Sequence, residues 1–363
     1  MKIERLPVAT VPAPIKPHSV KPSLDKELDS PYRQRPNIGL TERSIFHEPW
    51  WLNAATGENW KVATVETGNE IIAEMPYSLT RKSRLWRVSY LPPLTRTLGP
   101  VIDPQPADAS GPEWVHRLDV TRKLIDQLPD CAHFHQLADP RVSEAEAAAF
   151  RLAGFNVSVQ FTLRLAPGVD EESAWRSLRG NTRNRIRRSS ERFVVQTINS
   201  VETFVDFYDS NLSARHLENE YGSEVMRRVL REVSTRNAGT ILGSFDHDGS
   251  LLAATAIVWD RCNVYYLLTT RQATSHSGAV ALLVWEVMRI AREKKLEIDF
   301  DGVSTAGILQ FLAGFGGDLV QRYMFERIRP DFAICRAIRS RARERASERS
   351  RPSRSSQPNI EVS

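Results

Sequence analysis

Residues 264–317 constrain the fold most strongly, because strand and helix patterns follow one another there in close succession. VYYLLTT predicts a strand, which is followed by the polar loop RQATSH. The small residues SGA then open a helix that the run VALLVWEVMRIAREKK predicts. LEIDFDG predicts a second strand, which is followed by the Gly-rich helical turn GILQFLAGFGG. A strand that leads through small residues to a helix N-terminus can hold a phosphate-bearing donor, because N–H groups and the positive end of the helix dipole face the anion. The block therefore indicates a mixed α/β enzyme that transfers a group.

The net charge of +5 lies mostly at the two ends of the 363-residue chain. Residues 1–38 carry a net charge of +3 and residues 339–363 carry +4, which leaves −2 for the body between them. The ends are rich in Pro or in Ser and Arg and lack hydrophobic periodicity, so we predict disordered tails at 1–38 and 337–363. A folded body that binds nucleic acid is normally basic itself, so this charge distribution argues against that function.

Cysteine content and hydropathy predict a cytoplasmic protein. The three cysteines show no disulfide or metal spacing and are expected to be thiols in a reducing compartment. The first residues lack the apolar core of a secretory signal, and no segment approaches the roughly 20 apolar residues that a membrane span needs. The eight histidines show no metal-ligand spacing either, so we predict no metal.

The chain repeats one structural layout at low sequence identity. The segments that begin at Trp60 and at Gly239 each read strand, tight turn, strand, turn, strand, after an amphipathic helical stretch. Gly68 and Gly249 occupy matching hairpin turns, where glycine takes a positive φ most easily. The repeat predicts two similar mixed α/β domains. We place these domains at residues 39–153 and 154–336.

The loop after the strand at 264–268 is a candidate site for the pyrophosphate of an acyl-CoA. It combines a basic residue, hydroxyl groups and a helix start of small residues, and the strand would offer backbone groups to the pantetheine arm. The alternative is an ordinary strand–loop–helix connection in which Ser277 is the N-cap. The candidate donor-binding residues are Tyr266, Leu267, Leu268, Arg271, Ser277, Gly278 and Ala279.

Two carboxylates stand at the end of the second strand of this block. Alternation places Asp299 and Asp301 on one face of the strand. Two carboxylates on one face are costly to bury without partners, and one of them could accept the proton of an attacking amine. Asp301 is the stronger candidate because it is closer to the strand end. The alternative is that both cap the following turn and pair with nearby arginines.

An arginine-rich segment is a candidate site for an anionic ligand. Arg176, Arg179, Arg183 and Arg187 follow a 3–4–4 spacing and share one helix face if Gly180 does not break the helix. Such a face binds the phosphates of CoA or of RNA. The alternative is a solvated face, or a clamp onto carboxylates of the other domain.

A proline-containing loop, YLPPLTRTLGP, is a candidate site for the acceptor. Its two adjacent prolines force an extended backbone, so Thr95 and Arg96 are expected in a rigid loop at the end of a strand. The alternative is a simple edge connection between domains.

In order and spacing, these segments resemble the FemAB-like branch of the GNAT acyltransferase superfamily over roughly residues 40–335. The matching pieces are FHEPWWLNAATG, the LPPLTRTLGP loop, GFNVSVQFTLRL with the following Arg-rich helix, the strand and helix from residue 264, and IDFDGVSTAGILQFLAGFGGDLV. The resemblance implies two tandem GNAT-like domains, each a mostly antiparallel twisted sheet flanked by helices. It also implies direct transfer of an acyl or aminoacyl group to an amine. Residues 264–268 would be the splayed donor strand, and Arg271 with residues 277–279 a degenerate pyrophosphate loop.

Two departures from the family bear on the donor. Relatives often carry a lysine where this chain has Leu312, and the coiled-coil arm of some aminoacyl-tRNA-using members is missing. With a body charge of −2, acyl-CoA is favoured over tRNA as the donor. Relatives with this layout tend to act on surface polysaccharides, which makes an amino sugar the expected acceptor. The hypothesis is an N-acyltransferase of the N-acetyltransferase type; the alternatives are an aminoacyl-tRNA-dependent transferase and a non-catalytic scaffold of polysaccharide biosynthesis.

Overall fold

One sheet of ten strands runs through most of the structure, a computed structural model that describes residues 39–83, 85–107, 109–168, 170–273, 278–302 and 305–349. The strands are β1 (Trp60–Thr67), β2 (Glu70–Ser78), β3 (Thr80–Lys82), β4 (Trp86–Ser89), β5 (Val101–Ile102), β6 (His133–Leu137), β7 (Asn156–Leu165), β8 (Phe193–Thr197), β9 (Gly239–Asp246), β10 (Leu251–Trp259), β11 (Asn263–Arg271), β12 (Glu297–Gly302) and β13 (Asp318–Ile328). The helices are α1 (Pro49–Thr56), α2 (Glu113–Ile125), α3 (Glu144–Leu152), α4 (Glu171–Ser177), α5 (Gly180–Ser190), α6 (Val201–Ser213), α7 (Ser223–Thr235), α8 (Gly278–Lys294), α9 (Ala306–Leu312) and α10 (Pro330–Arg349).

The large sheet has the strand order β3-β4-β6-β13-β7-β12-β11-β10-β9-β8, and a smaller sheet has the order β1-β2-β5. Most neighbours are antiparallel, while β4 with β6 and β11 with β12 are parallel pairs. The predicted mixed α/β fold is confirmed. The large sheet continues across the boundary predicted near residue 154, because β13 pairs with β6 on one side and with β7 on the other. The division into two domains stays a prediction.

Both hairpin glycines take the backbone conformation that the sequence predicts. Gly68 between β1 and β2 has φ +65°, and Gly249 between β9 and β10 has φ +81°. The two meanders are nevertheless arranged differently. β9, β10 and β11 lie side by side in the large sheet, whereas β1 and β2 pair with β5 in the small sheet and β3 and β4 join the large one. The layouts differ because β4 pairs in parallel with β6 instead of returning to β2.

Side-chain alternation along β11 distributes its residues between two cores. Val264 packs into a core with α5 and α8, while Tyr265 and Leu267 pack into a core with α1, α6 and α7. Leu268 lies on the same side as Leu267, because a β-bulge leaves Leu267 without a partner on β10. A third core joins α2 and α3 to β1, β2, β6 and β13. The sheet is thus covered by helices on both faces around β11.

The C-terminal helix extends into the region predicted as a tail. Helix α10 ends at Arg349, beyond the boundary predicted at residue 336. The segment RARERASER consists mostly of Arg, Ala and Glu, which have high helix propensity. The bounds of the predicted tails stay a prediction. Residues 1–38 and 350–363 lie outside the described part of the chain.

A buried histidine makes the stability of the fold depend on pH. His47 is 3% exposed; its Nδ1 lies 2.9 Å from the Ser44 hydroxyl and its Nε2 lies 3.2 Å from the Gly99 carbonyl oxygen. Burial lowers the pKa of His47 from 6.5 to about 4. Because the unfolded chain therefore binds the proton more readily, we expect stability to be lost as the pH falls from 6.5 to about 4.

The expected loss over that range is about 3 kcal/mol for this one group. It is measured as the difference in urea-unfolding free energy between the wild type and His47→Gln, which cannot titrate. A difference that stays constant between pH 6.5 and pH 4 would contradict the assignment.

Candidate active site

The parallel strands β11 and β12 separate after a short paired segment. Their register joins Asn263 to Glu297, Val264 to Ile298 and Tyr265 to Asp299. Beyond Tyr265, β11 continues for six residues against β10, and no described residue of β12 pairs with it there. The bulge at Leu267 lies at the start of this separation. The result is a V-shaped opening in the sheet, bordered on one side by residues 266–268.

Arg96 lies in the mouth of this opening. Its Nη2 donates a hydrogen bond to the Leu267 carbonyl oxygen on β11, and its Nη1 lies 3.1 Å from Asp301 Oδ2 on β12. Nη1 also lies 3.4 Å from the Tyr221 hydroxyl. Burial lowers the pKa of Arg96, but Asp301 and Tyr221 outweigh that effect, so the pKa lies above its ordinary value. A residue from the N-terminal half of the chain therefore bridges the two strands that separate.

The neighbouring Thr95 has a structural contact. Its hydroxyl accepts a hydrogen bond of 3.0 Å from Trp51 Nε1, and the residue is buried. Thr95 thus fixes the loop to α1, while Arg96 reaches the opening.

Asp301 adopts an unusual backbone conformation at the end of β12. Its φ is +65°, which non-glycine residues rarely adopt, and the register of β12 against β7 gains one residue between Asp299 and Gly302. Asp301 Oδ1 accepts hydrogen bonds of 3.2 Å from both Nη1 and Nη2 of Arg322 on β13. Two arginines from distant segments therefore hold this carboxylate.

Asp299 is placed differently from Asp301. It is buried and accepts hydrogen bonds from the Thr162 hydroxyl at 2.5 Å, Arg164 Nε at 2.9 Å and the Asp301 N–H at 2.8 Å. The extra residue and the positive φ of Asp301 interrupt the alternation that would place the two carboxylates alike. Asp299 therefore fixes the turn that carries Asp301, while the Asp301 side chain remains 26% exposed.

Buried charges connect this turn to the N-terminal half. Arg164 Nη1 lies 3.4 Å from Glu297 Oε2, and its Nη2 lies 3.9 Å from Asp139 Oδ2. Burial raises the pKa of Asp139, but Arg141 and Arg164 more than offset this and hold it well below its usual range. Arg164, Asp139, Asp299 and Glu297 form the network that we call the Arg164 cluster.

The chain matches a known family over the strands that form the opening. Residues 176–306, which include β11, α8 and β12, match the model of the acetyltransferase (GNAT) domain. FemX has a similar solved structure, with a TM-score of 0.63 at 11% identity, over 83% of this chain and 94% of FemX. Residues 176–306 are thus similar to GNAT acetyltransferase domains, and the FemX structure has a similar fold. This agrees with the resemblance seen in the sequence.

A second solved structure has the same general fold. It is the C-terminal domain of a putative lysylphosphatidylglycerol synthetase from Agrobacterium fabrum, with a TM-score of 0.51 at 14% identity, over 79% of this chain and 90% of that one. At these identities the similarity establishes the fold alone. A search of curated protein sequences finds no match.

The predicted donor residues lie along β11 and at the start of α8 in this GNAT domain. Tyr266 packs its ring edge against Phe300 at 5.8 Å, and burial raises the pKa of its hydroxyl to about 12. The Leu268 carbonyl accepts a hydrogen bond from the Thr255 hydroxyl, and Arg271 ends the strand. Gly278 and Ala279 are buried in the first turn of α8, whereas Ser277 lies outside the described residues.

The predicted arginine face is interrupted. Helix α4 ends at Ser177, residues 178 and 179 are extended, and α5 begins at Gly180, because the Arg179 N–H bonds the Gly314 carbonyl. Arg183 Nη1 donates to the carbonyl oxygens of Arg176 and Leu178 and so caps α4. Arg187 is exposed near Asn184. In the described part of the chain, no hydrogen bond or ion pair joins Arg183 or Arg187 to Asp301.

Several features of this opening were not predicted from the sequence. Arg322, Arg164 and Tyr221 were not singled out, although a buried-face arginine in the strand DLVQRYMFERI is an informative signal. Leu312, where relatives often carry a lysine, is buried in the core beside α8. Within the described residues, no group of three His, Cys, Asp or Glu side chains could hold a metal ion. None of the described helices is long and apolar enough to cross a membrane.

Proposed function

We propose that the protein is an N-acyltransferase that moves an acyl group from acyl-CoA to an amine. The observation that carries the proposal is the opening between β11 and β12, with its bulge at Leu267, inside the matched GNAT domain. Strands that separate expose backbone groups that can bind an extended ligand, as an added strand would. The pantetheine arm would lie along residues 266–268 in this way.

The start of α8 is proposed to receive the pyrophosphate of the donor. Gly278 and Ala279 are small, so an anion can approach the helix N-terminus closely, and the helix dipole favours negative charge there. Arg271 at the end of β11 would add a guanidinium group, and Ser277 a hydroxyl. Backbone N–H groups of β11 would polarise the thioester carbonyl.

Direct attack by the amine completes the proposed reaction. The amine nitrogen forms the new C–N bond with the carbonyl carbon, the C–S bond breaks, and CoA leaves as the thiolate. The proton released by the amine passes to Asp301, directly or through a water molecule, and finally to the thiolate. A carboxylate has about four acceptor positions, and three donors occupy Asp301, so Oδ2 can still accept a hydrogen bond from the amine.

An amino sugar of a surface polysaccharide is the proposed acceptor, by analogy with relatives of the same layout. We also propose a cytoplasmic location, which the three free cysteines support because thiols persist in reducing compartments. Asp299 acts through Asp301 in this scheme and is a positioning residue.

An aminoacyl-tRNA donor is the second candidate. The structural similarity to FemX and to a putative lysylphosphatidylglycerol synthetase domain favours it, since the latter name denotes a lysyl product. The exposed Arg187 on α5 would then contact the RNA backbone.

A matched pair of variants separates the two donors. If Arg271 holds the pyrophosphate, Arg271→Ala weakens acetyl-CoA binding about tenfold or more, because a charge-assisted hydrogen bond is lost. Arg187→Ala removes the same group elsewhere and leaves that affinity unchanged. Isothermal titration with acetyl-CoA and with tRNA measures both. Absence of CoA binding, with a salt-dependent tRNA affinity that Arg187→Ala reduces, would replace the first candidate by the second.

A further inference from the structure

The ion pairs on Asp301 hold more positive than negative charge, whereas the adjacent Arg164 cluster holds more negative than positive charge. The ion pair of Arg96 and the ion pair of Arg322 both end on this single carboxylate. Two guanidinium groups and one carboxylate leave one positive charge in excess. Tyr221 adds only a hydroxyl group to the cluster.

Burial makes this excess charge costly. The side chain of Arg322 is 5% exposed and that of Arg96 is 16% exposed. In each of them Nε is buried and has no hydrogen-bond acceptor among the described residues. A buried cation without a full set of partners is strongly unfavourable, and a buried donor that has no protein partner is ordinarily satisfied by an ordered water molecule, an ion or a ligand.

The two arginines are held in place by the fold. Arg322 lies in β13, whose pairing with β7 is continuous on both sides of the Gln160–Arg322 register position. Its Nη2 lies so near the backbone of Gly302 that a Cβ there would come within 2.8 Å. Arg96 follows Thr95, which Trp51 anchors, and Leu94, which has φ +63°. The pair is therefore preorganised and differs from mobile surface arginines.

We propose that the acceptor carries an anionic group, a carboxylate or a phosphate, beside its amine. The anionic group binds Arg96 and Arg322, and the amine donates to the remaining acceptor position of Asp301. This rests on the proposed function, because it assigns the same site to the amine substrate. A neutral amine satisfies Asp301 but leaves the excess charge unpaired, so the site discriminates against it.

Three amines that share one H₂N–CH₂–CH₂– unit test the proposal. They are 2-aminoethanol, β-alanine and O-phosphoethanolamine, which carry a neutral, a carboxylate and a phosphate group. Isothermal titration of the full chain in the presence of CoA measures each affinity. We expect β-alanine or O-phosphoethanolamine to bind about tenfold or more tightly than 2-aminoethanol, since each added charge-assisted hydrogen bond is strong. Which of the two binds better identifies the anion.

Two variants assign this preference to the arginines. Arg322→Gln and, should it fail to fold, Arg96→Gln are expected to abolish the preference for the anionic amine. Arg322→Gln is also expected to leave CoA affinity unchanged, because Arg322 bonds Asp301 on β12 and not the proposed donor strand β11. Arg327→Gln is the control, because Arg327 lies on the same strand but stacks on Phe155. Equal affinities for the three amines, no measurable binding of any of them, or a preference that survives in both variants would overturn the proposal. Loss of CoA binding with the anion preference intact would instead refute the proposed donor.

Discussion

Replacing Arg164 with methionine is expected to lower the free energy of unfolding by about 3–5 kcal/mol. Arg164 is 1% exposed and faces Asp299, Glu297 and Asp139, of which Asp139 also pairs with Arg141. Methionine fills a similar volume but removes the cation that pairs with the buried Asp299. Urea unfolding followed by circular dichroism measures the loss.

Two further variants show whether the loss comes from the unpaired charge. Arg327→Met removes an arginine of a neighbouring strand that is only partly buried and should cost much less. The double variant Arg164→Met, Asp299→Asn should recover part of the stability, because residues in one network are coupled. A loss equal to that of Arg327→Met, or no recovery in the double variant, would show that the cluster does not stabilise the fold in this way.

Replacing Asp301 with asparagine is expected to lower kcat by about 10²–10⁴-fold while acyl-CoA binds as before. Asparagine keeps the shape and one hydrogen-bond acceptor for the arginines, but it cannot take a proton from the amine. Thiol release with the best-bound amine of the three-amine titration measures kcat.

A control variant, and the dependence of kcat on pH, test whether the loss of turnover comes from Asp301. Asp318→Asn removes an exposed carboxylate at the start of β13 and should leave kcat unchanged. If Asp301→Asn retains full turnover across the pH range, Asp301 is not the proton acceptor.

Local sequence signals predicted the elements that form the opening. The run from β11 through α8 to β12 appears in the structure where hydrophobic periodicity placed it, and Gly68 and Gly249 take the expected positive φ. These features depend on neighbours in the sequence, so the sequence contains the information directly.

Features that depend on distant partners were not predictable in this way. Arg96, Tyr221, Asp301 and Arg322 meet only because the sheet order brings four separate segments together. The break between α4 and α5 likewise depends on the Gly314 carbonyl, more than a hundred residues away. The 3–4–4 spacing of the arginines suggested one continuous helix face, because the spacing contains no information about the contact between Arg179 and Gly314.

The position of Arg96 limits how this chain can be divided or recombined. The matched GNAT domain begins at residue 176 and ends at residue 306, so it contains Asp301 but neither Arg96 nor Arg322. A fragment with those bounds would keep the strand and helix of the proposed donor surface while losing both arginines of the proposed acceptor site. Exchange of the N-terminal half with that of a relative would replace Arg96 of the proposed acceptor site without altering any residue of the domain that we propose binds the donor. Under the proposed function, selectivity for the amine could therefore evolve in one part of the chain while the donor chemistry is maintained in another.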